Sequence, residues 1–227
     1  MGQIKHYNNG TWTIYTSGED LSGYTGTTNT YYIGVNNTDG DLSKVNPDGE
    51  LINLKKPNVG FTGFTYEIGE YVSTEGGVIY HRYLSGDTQY YLVVDTEDIG
   101  QDVWSDVDDI ESGAISLWDG DRNTAIIIEQ FGASSGAAFL CDSSTNGGKN
   151  DWYLPAIQEL NKLWSNMLEV SQGIETAGGN QFDFNYYWSS TESSSDGAWN
   201  FGFFNGFASF SSKGDTYCVR AVRKFSI

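Results

Sequence analysis

The stretch at residues 187–225 constrains the fold of this chain most, because its aromatic residues are spaced as in β-strands. It reads YWSSTESSSDGAWNFGFFNGFASFSSKGDTYCVRAVRKF. Phe201 and Phe203 alternate with other residues, as in a strand that is buried on one face. We expect these two side chains to point into a core. Phe204, Phe207 and Phe210 interrupt the alternation, and we expect them to be exposed.

The same stretch contains two kinds of position. One kind looks fixed and includes WSSTE at residues 188–192, Lys213 and Arg220. The other is a filler of small, polar and aromatic residues, all of which can be encoded by codons that end in a pyrimidine. Lys, Glu, Gln, Met and Trp, which such codons cannot encode, do not occur in the filler. This composition is the trace left when the adenines of asparagine-type codons are randomised.

The filler also has the chemistry of a recognition surface. Tyr, Phe, Ser, Gly and Asn are typical of antibody paratopes, because aromatic rings give contact area at low entropic cost and the small polar residues give adaptable hydrogen bonds. Strand alternation and exposed turns predict which of these side chains contact a ligand. The predicted ligand-binding residues are Ser193, Ser194, Asp196, Phe204, Asn205, Phe207, Ser209, Phe210, Ser212, Asp215 and Tyr217.

Two further motifs extend the pattern, DGDRNT at residues 119–124 and DWYLP at residues 151–155. With WSSTE and the filler, they resemble the variable proteins of diversity-generating retroelements, whose variable segments end a C-type-lectin-like domain. Formylglycine-generating enzymes share this fold, and WSSTE also occurs in related domains that are not diversified. The resemblance covers roughly residues 64–227. It implies a lectin-like, ligand-binding domain of a bacteriophage protein.

In a lectin-like domain the final strands and their loops form one face. This resemblance and the two-residue period together predict which residues support the face. Trp188, Trp199, Val219 and Val222 are expected to be buried. Carboxylates such as Glu192 are expected to hold Arg220 and Arg223.

Composition places the chain in the α+β class, mostly β. Its 28 glycines and three prolines, with seven tryptophans, fifteen tyrosines and twelve phenylalanines, favour many short strands joined by turns. A length of 227 residues allows two modest domains. We predict a small β-rich module at residues 1–60 and a lectin-like domain with about two helices at residues 61–227.

The amino-terminal module begins with IKHYNNGTWTIYT, which predicts a strand, an NNG turn and a second strand. The pattern resembles the short β modules of phage fibre proteins. Such a module buries little apolar area by itself, and trimerisation supplies the missing core. We therefore expect residues 1–60 to form a homotrimer and to attach the chain to other virion proteins. Lys55, Lys56 and Pro57 mark the expected linker.

One helix stands out at residues 155–170. Pro155 suits the first helical position, and Ile157, Leu160, Trp164 and Leu168 form an apolar stripe that Leu163 and Met167 widen. The segment at residues 173–180 is expected to break the helix. Small and apolar residues at 123–141 are consistent with another helix packed on a sheet.

The net charge of −18 argues against nucleic acid as a partner, because phosphate binding needs clustered Lys and Arg. No apolar run reaches the length of a membrane helix, so membrane insertion is not expected. The start of the sequence lacks the pattern of a signal peptide. We therefore expect a virion protein, in a capsid or a tail fibre, with a bacterial cell-surface location as the alternative.

Several features that imitate chemical sites have simpler explanations. Residues 95–111 hold eight carboxylates and no base, which indicates a solvated loop more than a metal site. Asp119, Asp121 and Asn123 imitate the start of a calcium loop, but Thr124 stands where a glycine is expected. His81 is expected to be a strand residue, and Cys141 and Cys218 are expected to be free thiols.

No arrangement of residues predicts catalysis, a metal or another cofactor. The leading hypothesis is therefore a phage fibre or decoration protein whose variable surface binds a host-surface ligand, either a protein or a glycan. A bacterial cell-surface adhesin of the same fold is the alternative. A hydrolase or other enzyme is a third class, and the sequence gives it little support.

Overall fold

A computed structural model describes residues 63–105, 107, 109–131 and 135–227 in full, and the backbone of five earlier segments. Those segments are residues 3–8, 11–16, 32–35, 42–45 and 51–53. The chain divides into two compact units, Met1–Gly63 and Phe64–Ile227. No helix in the described part of the chain combines the length and the apolar character that a membrane crossing requires.

The first unit contains an antiparallel five-stranded sheet in the order β2-β1-β3-β4-β5. Its strands are β1 (Gln3–Asn8), β2 (Thr11–Thr16), β3 (Tyr32–Val35), β4 (Leu42–Val45) and β5 (Leu51–Asn53). Asn8 lies opposite Thr11, so β1 and β2 form the hairpin that the sequence predicts. The expected linker, Lys55 to Pro57, lies outside the described residues. Trimerisation and attachment through this unit stay predictions.

The second unit contains two sheets. The strands are β6 (Tyr71–Val72), β7 (Gly77–Ser85), β8 (Thr88–Asp95), β9 (Gly100–Val103), β10 (Tyr186–Glu192), β11 (Gly197–Gly202), β12 (Phe207–Ser212), β13 (Thr216–Val219) and β14 (Val222–Ser226). One sheet has the order β14-β8-β7-β6, and the other has the order β12-β11-β10-β13-β9. The five-stranded sheet that contains β12 and β13 is called the second sheet below. Between β13 and β14 the chain passes from this second sheet to the four-stranded sheet that contains β14. This arrangement is the expected α+β lectin-like fold, mostly β.

Four α-helices occur in the described residues, where the sequence predicted about two. They are α1 (Gly120–Phe131), α2 (Ala137–Asp142), α3 (Ile157–Ser165) and α4 (Met167–Ala177). The helix predicted at residues 155–170 is divided at Asn166, whose Nδ2 donates to the Tyr80 carbonyl over 2.9 Å. This break changes the phase of the buried stripe. Leu168 is therefore 70% exposed, and Val170 and Ile174 are buried instead.

The helix break expected at residues 173–180 was also wrong in its start. Gly173 lies inside α4, because a glycine there lets the helix approach the backbone before β6. A methyl group at this position would lie 2.2 Å from the Gly69 carbonyl oxygen. The helix ends at Ala177, and Gly178 follows in the left-handed conformation at a φ of 76°.

The core has two parts, one on each face of the second sheet. Trp188 belongs to one part, with Trp104 and Val219, and its neighbour Tyr187 belongs to the other, with Leu160 and Phe201. Successive side chains of a strand point to opposite faces, so β10 contributes to both parts. Phe201 and Phe203 are buried, as the sequence predicted.

A single buried carboxylate joins the starts of two helices. Glu159 Oε2 accepts from the backbone N–H groups of Ala156 over 2.8 Å and Gly120 over 3.1 Å, and Oε1 accepts from the Tyr153 hydroxyl over 2.9 Å. Burial raises the pKa of Glu159 to about 7, although these three donors partly oppose the rise. The carboxyl group therefore retains its proton to a higher pH in the folded chain than in the unfolded chain.

This difference makes a pH prediction for Glu159→Gln. Between the ordinary pKa of 4.5 and about 7, the folded wild type binds more protons than the unfolded chain, so its stability falls as the pH rises. The amide cannot titrate, and we expect the variant to lose less stability than the wild type between pH 5 and pH 7.5. Denaturation with urea at several pH values measures the difference. Glu129→Gln, at an exposed position of α1, is the control, and a wild-type minus variant difference that does not change with pH would contradict the assignment.

Candidate functional site

The predicted binding residues lie at the surface of the second sheet and its turns. Ten of the eleven are exposed, and Tyr217 is half-buried. Phe204, Phe207 and Phe210 are 48%, 70% and 66% exposed, although they are large apolar side chains. Their predicted exposure is confirmed, whereas their contact with a ligand stays a prediction.

The hairpin formed by β11 and β12 carries the exposed rings of Phe204, Phe207 and Phe210. In this hairpin Phe207 lies opposite Gly202, and Phe210 lies opposite Trp199. Residues 207 and 210 are three positions apart, so their side chains point to opposite faces of β12. The expectation that the site forms one face was therefore wrong. The side chains of β12 are exposed on both faces except Ser211, which is half-buried.

The Phe207 face of the hairpin continues across the neighbouring strands. Tyr186 lies in the same row, because it pairs with Gly202, and its ring contacts Phe204 at 5.1 Å and Tyr217 at 5.3 Å between centroids. The Tyr217 ring also packs on Trp188 at 4.7 Å. A hydroxyl contact of 2.9 Å joins Tyr217 to Ser211 of β12. These contacts hold Tyr217 and Tyr186 in place beside the exposed rings.

The Phe210 face of the hairpin is built on Trp199. The two rings meet edge to face at 5.8 Å. Trp199 was expected to be a fully buried support, but it is half-buried, because its partner strand β12 lies at the open edge of the sheet. The other predicted supports, Trp188, Val219 and Val222, are fully buried.

Residues 102–223 match the family described as the Lcl C-terminal domain. The match spans more than half of the chain. The chain belongs to the Lcl C-terminal domain family. A comparison with curated proteins finds no match.

The matched residues of the Lcl C-terminal domain run from β9 to Arg223 and include the whole candidate surface. The predicted C-type-lectin-like domain is thereby confirmed. The retroelement and the phage context stay predictions. The match begins after β8, so the hairpin of β7 and β8 that pairs with β14 lies before the matched residues.

A buried ion pair supports the surface of this Lcl C-terminal domain. Lys213 lies between β12 and β13, and its Nζ donates to Glu192 over 2.7 Å, to the Ile110 carbonyl over 2.8 Å and to the Ser195 carbonyl over 2.6 Å. Both side chains are almost completely buried. Burial opposes ionisation of Glu192, but Lys213 and the backbone N–H groups of Ser112 and Gly113 outweigh it and lower its pKa.

Glu192 therefore does not hold Arg220 or Arg223, and this part of the prediction was wrong. Arg220 lies in the crossover between β13 and β14, where it pairs with Asp98 and donates to the Asp95 carbonyl over 3.0 Å. Arg223 forms a two-bonded pair with Asp151, with both distances 2.7 Å. Arg220 and Arg223 are therefore paired with Asp98 and Asp151, and Glu192 is paired with Lys213.

The acidic segment at residues 95–111 is only partly a solvated loop. Asp95 is 4% exposed, and Asp98 is paired with Arg220. Burial raises the pKa of Asp95 to about 6, against the opposing effects of backbone N–H groups, Arg220 and Asn146. The run of acidic residues is visible in the sequence, but Arg220, which pairs with Asp98, lies more than a hundred residues later.

Asp119 and Asn123 form a turn at the start of α1. Asp119 Oδ1 accepts from the Arg122 N–H over 3.3 Å. Asn123 is buried, accepts from the Ser116 N–H over 3.0 Å and donates to the Ser116 carbonyl over 2.7 Å. The side-chain oxygens of Asp119 and Asn123 therefore have structural partners within the chain.

Cys141 and Cys218 are free and buried. Among the described residues, Cys218 belongs to one group of metal-type ligands, with Asp98 and Asp183, whose ligand atoms lie within 4.8 Å of one another. Asp98 already pairs with Arg220 and accepts from the Tyr187 hydroxyl over 2.8 Å. The guanidinium group supplies the positive charge that a cation would bring to this carboxylate.

A separate concavity of about 340 Å³ lies on the other sheet, and none of the predicted site residues lines it. His81 lies there as a residue of β7, as expected, with its ring stacked on Tyr83. Glu159, which also lines the concavity, is occupied by the helix starts described above.

Sequence reasoning missed Tyr186, which extends the surface, and Phe184, which is exposed close to it in the sequence. Phe184 is 79% exposed and lies two residues before β10. Tyr186 alternates with the buried Tyr187, and this alternation at the start of the strand was the available signal.

We predict that Lys213→Met destabilises the domain strongly. The change leaves the Glu192 carboxylate buried without its cation and removes three hydrogen bonds, and breaking a buried pair costs about 3–5 kcal/mol. Chemical denaturation measures the loss, with Lys224→Met at an exposed position as the matched control.

The double variant Glu192→Gln with Lys213→Met tests the cause of that loss. It leaves no uncompensated carboxylate, so the two changes together should destabilise less than the sum of the single changes. Additive losses would show that the two side chains act independently.

Proposed function

We propose that this chain is a binding protein whose β11–β12 hairpin and neighbouring turns contact a ligand on the surface of a host cell. One observation carries the proposal: Phe204, Phe207 and Phe210 are exposed together on one hairpin. Phe204 and Phe207 lie with Tyr186 on one face of the hairpin, and Phe210 lies with Trp199 on the other. Single exposed apolar residues are common in soluble proteins, but groups of exposed apolar side chains mark interaction sites. Asn205 and Ser209 lie between these rings in the sequence and Ser212 follows them, and such small polar residues adapt hydrogen bonds to a partner.

The exposed residues of the surface are different from the buried residues that support it. This separation favours a ligand specificity that can change. The rings project from a sheet that is fixed by Trp188, by the pair of Lys213 and Glu192 and by Arg220, and none of these belongs to the filler. Substitution of an exposed filler residue therefore removes few core contacts. We propose on this basis that the filler positions are sites of diversification.

Some filler positions do not fit free variation. Gly197 and Gly202 are buried, and a methyl group on Gly197 would lie 2.8 Å from the Ser193 Oγ. Cys218 is 1% exposed. Substitution at these three buried positions alters the packing of the domain rather than its contacts with a ligand. We therefore expect small residues to predominate there in any set of variants.

We further propose that the protein is carried on a phage particle, with the five-stranded sheet of the first unit as its attachment module. A bacterial cell-surface adhesin of the same fold is the second candidate. Both use the same surface, and the genes around this one distinguish them. Capsid, portal or tail genes beside it support the virion, whereas an adhesin gene is expected among genes for cell-envelope proteins.

Diversification makes its own genetic prediction. A reverse transcriptase gene and a template repeat are expected near this gene, with adenines in the repeat where codons 193–218 differ from it. Sequencing the flanking DNA tests this directly. A genome without such a repeat would remove the claim of active diversification and leave the lectin-like fold unaffected.

For the surface itself, we predict opposite effects for Phe207→Ala and Trp188→Ala. Phe207 is 70% exposed, so its loss should leave the melting temperature nearly unchanged and weaken ligand binding by about 2 kcal/mol, or roughly 30-fold. Trp188 is fully buried, and its loss should cost about 3–5 kcal/mol of stability. Thermal melting and binding of the labelled protein to a panel of bacterial cells measure the two effects.

Ser226→Ala, at an exposed position of the other sheet, is the control for cell binding. If Phe207→Ala lowered the melting temperature as much as Trp188→Ala and bound cells normally, the surface and the core would have been assigned the wrong way round.

A further inference from the structure

The outer strand of the candidate surface has an open backbone edge. β12 pairs with β11 along residues 207–212, and it ends the sheet order β12-β11-β10-β13-β9. The described residues give no strand that pairs with its other side. In an antiparallel strand alternate residues direct both backbone groups to the same side. About half of the N–H and C=O groups of β12 therefore point away from the sheet.

This edge lacks the features that usually prevent a strand from pairing with another chain. Natural edge strands carry charged residues, prolines or bulges. β12 reads FASFSS, and its register with β11 is continuous from Phe207 to Ser212. Its side chains are open on both faces, so neither face hinders the approach of a partner strand.

The charges around β12 are acidic. Within residues 180–218 the sole Lys or Arg is Lys213, and it is buried against Glu192. Asp183, Asp196 and Asp215 are exposed in the same segment. The whole chain has a net charge of −18, so a partner with positive charge is favoured and a second copy of the chain is not.

We propose that the ligand is an extended, basic segment of polypeptide that pairs with β12 and adds a sixth strand to this sheet. This inference rests on the function proposed above and chooses a protein ligand over a glycan. A polypeptide strand offers a regular row of N–H and C=O groups that matches the row on β12, and a sugar chain does not.

Pairing at this edge would use both aromatic faces of the hairpin. Alternate side chains of an added strand point to opposite sides. One set would meet Phe207 and the Tyr217 side of the sheet, and the other would meet Phe210 beside Trp199. The backbone would supply general affinity, and the variable side chains on both faces would supply selectivity.

The test uses peptides selected from a random twelve-residue display library against the full chain. The tightest peptide is synthesised in two N-methylated forms, one methylated at its odd-numbered amides and the other at its even-numbered amides. Only one form loses the N–H groups that face β12. We expect that form to bind at least about tenfold more weakly and the other to retain most of its affinity. Hydrogen exchange should slow at the outward amides of β12 when the unmodified peptide binds.

Two variants of the protein test the same edge from the other side. Ala208→Pro and Ser209→Pro remove adjacent amides, which point to opposite sides of β12. One variant should lose stability, because its N–H bonds to β11. The other should retain its melting temperature and lose peptide binding, because its N–H faces outward.

The outcomes separate this inference from the proposed function. Equal effects of the two methylated peptides, or a selection that enriches no peptide, would overturn strand pairing, while loss of cell binding by Phe207→Ala would still support the binding surface. Pairing of β12 with a second copy, seen as self-association by mass measurement that is abolished by the proline variant whose melting temperature is unchanged, would also overturn it. If Phe207→Ala bound both cells and peptide normally, the proposed surface itself would be wrong.

Discussion

The candidate surface depends on one buried cation, the ammonium group of Lys213. A buried ammonium ion is costly unless it is fully paired, and here it meets Glu192, two backbone carbonyls and the face of the Trp104 ring at 5.0 Å. These partners come from two separate segments, one with Trp104 and Ile110 and the other with Glu192 and Ser195. Lys213 lies in the turn that joins β12 to β13. The contacts of its ammonium group therefore fix the position of this turn and of the strand ends beside it. The position of the exposed hairpin is therefore set by groups that no ligand touches.

Stability and recognition use different atoms of the same strands. Along β11, Ala198 and Phe201 pack in the core, while Trp199 is only half-buried and supports Phe210 of β12. A strand at the edge of a sheet has one hydrogen-bonded neighbour strand instead of two, and the side chains of β12 are mostly exposed, so they gain little from burial. Because the side chains of β12 make few core contacts, they can differ between ligands with little effect on stability. The arrangement explains how large rings can be exposed in a domain whose next strand is densely packed.

Local patterns predicted much of this structure, and long-range pairings account for most of the errors. Alternation separated the buried Phe201 and Phe203 from the exposed Phe204, Phe207 and Phe210. It also predicted that Trp199 is buried, which was wrong. A two-residue period indicates the face of a strand on which a side chain lies, but not whether the strand lies near the edge of the sheet. The partners of Arg220 and Glu192 were also wrong, since charge pairing between residues that are distant in the sequence, such as Asp98 with Arg220, leaves no periodic signal. The break at Asn166 depends on a hydrogen bond to Tyr80 in another element, which helix propensity does not contain.

The open edge of β12 raises the question of why copies of the chain would not pair through it. Two copies bring together two surfaces of the same sign, each with Asp183, Asp196 and Asp215 exposed and with Lys213 buried. Repulsion between like charges opposes that contact, and it does so without placing a charge on β12 itself. The same carboxylates attract a basic strand, so one distribution of charge both protects the edge and selects its partner. A protective lysine within β12 would also prevent self-pairing, but it would repel the basic strand that we propose as the ligand. Protection by the flanking segments therefore leaves the residues of β12 other than Ser211 available for recognition.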